Sequence, residues 1–379
     1  MKPFVCLAGG ISTFGITNYI KEFAEILSID SYAFNQSIFN DLKGRMISAD
    51  KLVIIDHHEP WNSKDHYEEI IEKRNLDKKI TKIIFDRSFE GGSSVHSIKS
   101  KLKYYSSLGI KEKDVLFFLN RSCNLTDNEF NTFRVDEFAV SSFINCFQNG
   151  HPVSSLQVEH RPNKINLLMG KISKHPRPII LDSFHRHNLF KNTLTGLLTT
   201  LEDLERFNNN PKLKLYLKKN AGPADNVFQQ RLEDSTVSST GWSGNCYVYN
   251  NTSLSYVVET WMDDTMFLTE KTYRAIVNRH PFVLAGPVKS LEYLHSLGFK
   301  TFHEFIDESY DSIMDWGDNG IAEKIEKTVV ESERFLKVIP KNYKKIEEIV
   351  DFNLERFKEY AFQEYSVAKK RIADFLNVA

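Results

Sequence analysis

The chain has 379 residues, a net charge of −1, 41% hydrophobic and 26% charged residues, an ordinary composition for a folded protein and a length that calls for two cores. That balance excludes a global electrostatic pull toward nucleic acid or membrane. Its four cysteines, Cys6, Cys123, Cys146 and Cys246, lie too far apart in sequence for a C-x-x-C metal site, and reduced thiols are expected.

Taken in chain order, the first half alternates strand and helix signals. Residues 4–8 form a short apolar run ending in Gly9-Gly10, and residues 16–27 have helical spacing. Residues 51–55 and 82–85 are continuous apolar runs of the kind buried in a parallel sheet, with a charged helix expected between them at 66–79. Residues 115–119 predict a further strand. This alternation implies βαβ units and a Rossmann-like layer arrangement. The Gly9-Gly10 turn lacks the full G-x-G-x-x-G pattern, so it reads as one wall of a cleft rather than a dinucleotide site.

Turn formers cluster from Asn149 to Asn163 and predict a boundary. A second alternating unit follows, with strands at 165–169, 255–260 and 281–285, helices at 178–190, from 271 and at 290–297, and a last apolar piece at 299–302 completing the sheet. Residues 208–237 are polar and read as loops. The stretch 321–376 has a helical pattern interrupted at Pro340, and its final part is expected to pack back on the first domain. The resulting division is 1–155 for a first domain, 156–345 for a second and 346–379 for a helical tail. No apolar run approaches the roughly 20 residues that span a bilayer, and no signal-peptide pattern opens the chain. A cytoplasmic location is therefore expected.

Three segments carry chemistry. In Thr269-Glu270-Lys271, Thr269 suits an N-cap and Lys271 adds a cation to a helix N-terminus, where unpaired N–H groups already favour an anion. Glu270 can accept hydrogen bonds from sugar hydroxyls. Taken alone, the segment also reads as a capped surface helix. In the second, a strand ends at Gly170, and Lys171, Lys174, His175 and Arg177 follow it. Ligands of open α/β sheets bind at that strand edge, and a guanidinium can grip two phosphate oxygens at once. A solvated basic loop is the plainer alternative. In the third, Asp56-His57-His58-Glu59 follows a buried strand. Adjacent histidines on an extended segment point apart, so no metal is expected. A general base for transfer to a hydroxyl suits the segment better, with Glu59 first, then Asp56 and His57.

The stretch 269–287 resembles the donor-binding motif of the α-1,3-fucosyltransferases and related GT-B glycosyltransferases, in which a T-E-K triplet opens a helix and a strand ending near glycine follows. Residues 167–184 resemble that family's strand-loop-helix, and residues 291–311 are similar to a motif of glycosyltransferase-like proteins of bacteriophages and large viruses. The resemblance implies two Rossmann-like domains facing a cleft, with Arg177 and Lys271 on the donor pyrophosphate and Glu270 on its ribose or sugar side. Thr269, Lys171 and Arg274 complete the expected donor site. The family's catalytic carboxylate falls nearest to Glu59-Pro60. The expected activity is sugar transfer from a nucleotide-sugar, with no separate cofactor, to an acceptor hydroxyl on a saccharide or on a hydroxymethylated base of DNA. The rival expectation is a non-catalytic sugar- or nucleic-acid-binding protein on the same scaffold.

Overall fold

The computed structural model describes residues 4–8, 28–30, 47–57, 64–87, 95–121, 130–172, 174–199, 204–205, 207–220, 222–223, 246–260, 262, 265–314 and 317–376. The chain divides into one unit of Met1–Ser141 with Phe362–Ala379 and another of Ser142–Ala361.

The first unit is built on a parallel sheet of six described strands: β1 (Phe4–Ala8), β2 (Ser28–Asp30), β3 (Lys51–His57), β4 (Ile80–Arg87), β5 (Val115–Asn120) and β6 (Thr132–Val135). Their order is β2-β1-β3-β4-β5-β6. Helices α1 (Lys64–Leu76) and α2 (Val95–Ser107) connect β3 to β4 and β4 to β5. The runs read from sequence as buried strands are buried: Leu52 and Ile54 of β3, Ile83 and Phe85 of β4, and Val115, Phe117 and Leu119 of β5 pack with Ile70, Ile71 and Ile98 of the two helices. A parallel strand covered by helices must be apolar on both faces, which is why these segments show no alternation. Strand order reverses between β1 and β3, and Ala8 pairs with Asp56 at the C-terminal end of that junction. The expected helix at 16–27 lies outside the described residues.

In the second unit the strands are β7 (Ile165–Lys171), β8 (Thr193–Thr199), β9 (Gly222–Pro223), β10 (Leu254–Val258) and β11 (Phe282–Ala285). The order is β11-β10-β7-β8-β9, and all pairings are parallel. Going outward from β7, two strands follow on one side before the chain crosses to β10 on the other. This is the doubly wound arrangement, with its switch point between β7 and β10. The connecting helices are α4 (Arg177–Arg186), α5 (Pro211–Asn220), α6 (Cys246–Asn250) and α7 (Glu270–Val277), and α3 (Glu137–Phe143) ends at the boundary between the units.

Two expectations in this half change, and one strand was not anticipated. Residues 299–302 form no strand; Phe302 is buried edge-on to Phe282, 5.4 Å away, and fills the core as a side chain. Part of the polar stretch after 208 is helical, because Leu213 and Leu217 are buried one turn apart in α5. Strand β8 had no apolar run to announce it, since threonine and glycine occupy four of its positions, TLTGLLT.

Helix α8 (Ser290–Ser296) precedes the long α9 (Asp318–Leu376), which leaves helical geometry only at Asn342. Pro340 lies inside α9 two residues earlier, and a proline that cannot donate its N–H accounts for the kink. Residues 362–376 of this helix belong to the first unit. There, Lys51 of β3 donates to the carbonyl of Leu376 and Lys82 of β4 to that of Phe375. Two ammonium groups thus meet the carbonyls a helix C-terminus leaves unpaired.

Candidate functional site

The C-terminal edge of the second sheet holds a cavity of about 200 Å³ between β7 and β10, at the switch point. Asn166, Leu168 and Met169 of β7 and residues 255–258 of β10 form its floor, and Arg177, Glu270, Lys271 and Arg274 reach it from α4 and α7. Two helix N-terminal turns therefore bring their charged side chains to one place. The register of β7 against β8 slips between Met169 and Lys171, where the strand gives way to the basic loop.

Arg177 opens α4 and is 8% exposed. Burial lowers the pKa of its guanidinium, with Glu270 acting in the opposite direction. Lys174 and His175 of the same loop are exposed, and His175 lies 3.7 Å from Asp318. The basic cluster expected here thus separates: Arg177 reaches the cavity, whereas Lys174 and His175 face solvent. Of Lys171 only the backbone, at the end of β7, is described.

Thr269 is the N-cap of α7, as its sequence position suggested, and its hydroxyl accepts from the Lys271 amide at 3.4 Å. The same hydroxyl accepts from Lys271 Nζ at 2.8 Å, and Thr260 accepts from that ammonium at 3.2 Å. What holds Thr269 is a residue the sequence reading missed. Glu259, 1% exposed, accepts from Thr269 N at 3.0 Å, Thr269 Oγ1 at 2.6 Å and Thr272 Oγ1 at 2.6 Å. Lys271 Nζ stands 3.9 Å from it. A buried carboxylate is tolerated only when its lone pairs are taken up in this way. The available signal was its place, one residue beyond a buried strand at the sheet edge where ligands gather.

Glu270 lies 3.5 Å from Lys271 and 3.6 Å from Arg274. Burial pushes its carboxyl up, but the two cations, together with hydrogen bonds from its own amide and from Thr269, outweigh that effect and leave it below the usual carboxylate range. Arg274 is less well provided for, since its buried Nε has no hydrogen-bond partner among the described residues. Three cations against Glu270 leave the lining with a positive excess, which survives counting the buried Glu259 behind Thr269.

From the cavity floor a chain of neutral groups runs inward. Asn166 Nδ2 donates to Ser255 Oγ at 2.8 Å, which lies 2.7 Å from His280 Nδ1, and His280 Nε2 lies 2.8 Å from the Thr252 carbonyl. A carbonyl only accepts, so Nε2 carries the proton and Nδ1 accepts from Ser255. Burial, reinforced by Arg161, pushes His280 well below the ordinary imidazole value.

In the first unit, Asp56 and His57 end β3 at that sheet's own switch point. Their side chains, and all of Glu59, lie outside the described residues.

No protein-family model matches the chain, and no curated protein matches it. Among solved structures it is similar to an alpha-glucosyltransferase in complex with UDP-glucose and DNA containing an abasic site, at 11% identity and a TM-score of 0.48 over 96% of this chain and 95% of that one. It is also similar to S. aureus MnaA with UDP, at 9% identity and a TM-score of 0.47 over 100% and 98% of the two chains. An alpha1,3-fucosyltransferase follows at 12% identity and a TM-score of 0.37, over 93% and 90%.

Proposed function

We propose that the chain is a nucleotide-sugar-dependent glycosyltransferase whose donor diphosphate binds the cavity at the β7–β10 switch point. The observation that carries this reading is the convergence of Arg177, Lys271 and Arg274 with Glu270 on one cavity at the strand edge. A diphosphate supplies acceptor oxygens for a planar guanidinium and an ammonium together, and would offer the buried Arg274 Nε the acceptor it lacks. Glu270 suits a hydroxyl of the ribose or sugar. As the glycosidic bond breaks, negative charge grows on the leaving diphosphate, and cations already fixed in a partly dry site stabilise it without reorganisation. On the acceptor side, Glu59, Asp56 or His57 would take the proton of the attacking hydroxyl; the position of Asp56 and His57 at the first sheet's switch point supports that role.

The acceptor is a saccharide hydroxyl or a hydroxymethylated base in DNA, and turnover separates them. Nucleoside diphosphate release is measured with UDP-, GDP-, dTDP- and CMP-sugars, the last releasing CMP, against oligosaccharides and hydroxymethylated duplex DNA. One donor is expected to be consumed only when its acceptor is present, and Glu59→Gln is expected to keep donor binding while losing turnover. Binding without turnover on any acceptor would favour a sugar-binding protein instead. An unchanged rate in Glu59→Gln removes Glu59 from the mechanism.

A further inference from the structure

The second unit carries another group of ligating side chains, which shares no residue with the donor cavity. His295 stands at the end of α8, His303 in the turn that follows, and Glu308 opens the 3₁₀ turn Glu308–Ser312. One ligating atom from each lies within 4.8 Å of the other two. We propose that His295, His303 and Glu308 bind one divalent transition-metal ion of the Zn²⁺ type, tying these three segments together.

The chemistry of the set selects the ion. Two imidazoles and one carboxylate suit Zn²⁺, Co²⁺ or Ni²⁺, whereas Mg²⁺ and Ca²⁺ prefer oxygen ligands throughout. Bonds of about 2.0–2.1 Å put tetrahedral ligands about 3.3 Å apart. Closing from the present separation, within 4.8 Å, asks the ligating atoms to draw together by at most about 1.5 Å. The two rings stand 6.1 Å apart at 59° to one another, unstacked.

The carboxylate is already held in place. Glu308 Oε2 accepts from Thr301 Oγ1 at 2.7 Å, and its Oε1 accepts from the Phe302 amide at 2.8 Å. The Thr301 hydroxyl also lies 3.0 Å from His295 Nε2, so one buried threonine contacts two of the three ligands. Outer partners of this kind orient metal ligands. Burial raises the pKa of the Glu308 carboxyl, opposed by Thr301, Phe302 and the two histidines, and a bound cation would favour the ionised form further. Three protein ligands leave a coordination position open to water. Binding exchanges metal-bound water for these ligands and releases any proton an imidazole carries.

The test uses the full chain, stripped with a chelator and titrated with Zn²⁺ by calorimetry and with Co²⁺ by visible absorption. One equivalent per chain is expected. His295→Ala and His303→Ala, both at exposed positions, are each expected to weaken binding by at least about tenfold, the scale on which even outer partners act. His160→Ala, at another exposed histidine, should leave it unchanged. Unaltered affinity in both ligand variants, or no Zn²⁺ bound by the parent chain, would overturn the site. Nucleotide-sugar binding is read separately on the same samples, so failure here leaves the donor cavity untouched.

Discussion

At the scale of single residues, His280 makes a pH prediction with a defined sign. The folded chain keeps this imidazole neutral well below 6.5, whereas the unfolded chain protonates it near that value. Below pH 6.5 the unfolded state therefore binds the proton that the folded state refuses, and stability falls as pH drops. One such group contributes a slope of about 1.4 kcal/mol per pH unit. Chemical denaturation of the parent chain and His280→Gln between pH 7.5 and 5.5 is expected to show a shallower pH dependence in the variant; equal slopes would contradict the neutral assignment. That Arg177, Glu270 and Lys271 would come to one place was legible in the sequence, because each stands where a strand edge gives way to a helix N-terminus. Glu259 was not, because a carboxylate facing inward is read as a surface charge until its three donors are known.

At the scale of elements, α7 depends on its first turn. Tyr273, Ile276 and Val277 are buried, but eight residues are too few for a helix to stand without its cap and its packing. Thr269 satisfies an amide of the turn and also gives Glu259 two of its three hydrogen bonds. Losing a cap costs about 1 kcal/mol, and a buried carboxylate deprived of one donor costs about 1–3 kcal/mol more. Thr269→Ala is expected to lose about 2–4 kcal/mol in denaturant unfolding, and Thr269→Ser, which keeps the hydroxyl, under 1 kcal/mol. Similar losses in the two would show that the methyl group, not the hydroxyl, matters here. Buried apolar runs made β3, β4, β5 and β11 readable from sequence. Strand β8 escaped because its threonines and glycine dilute the apolar signal, and α5 because Leu213 and Leu217 stand among lysines.

At the scale of the whole molecule, the chain returns to its first unit with its last helical turns. Among the described residues no helix is long and apolar enough to cross a membrane. The first unit is completed by Ala368, Ile372 and Leu376, all buried, and by Glu364, which pairs with Arg121 through both carboxylate oxygens and accepts from the Asp136 amide at 2.9 Å. Glu364→Ala removes an acceptor of that buried amide together with the carboxylate paired with Arg121, and is expected to cost about 1–3 kcal/mol, measured by denaturant unfolding. The cavity proposed for the donor is lined wholly by residues of the second unit, so nucleotide-sugar affinity in the variant should be unchanged. A loss of affinity to match the loss of stability would mean the two units do not act separately. The helical tail was legible as a periodic pattern, whereas the point at which it passes from one unit to the other depends on long-range contacts that no local pattern encodes.

The central claim is that one anion-binding cavity holds the donor diphosphate. Its most direct test is thermal unfolding with the nucleotide-sugars at high concentration, comparing the parent chain with Arg177→Gln and Lys271→Ala. A donor present at 100 times its Kd stabilises the parent chain by about 2.7 kcal/mol, and both substitutions are expected to abolish that gain. A stabilisation that persists in both variants, or its absence with every donor, would contradict the account.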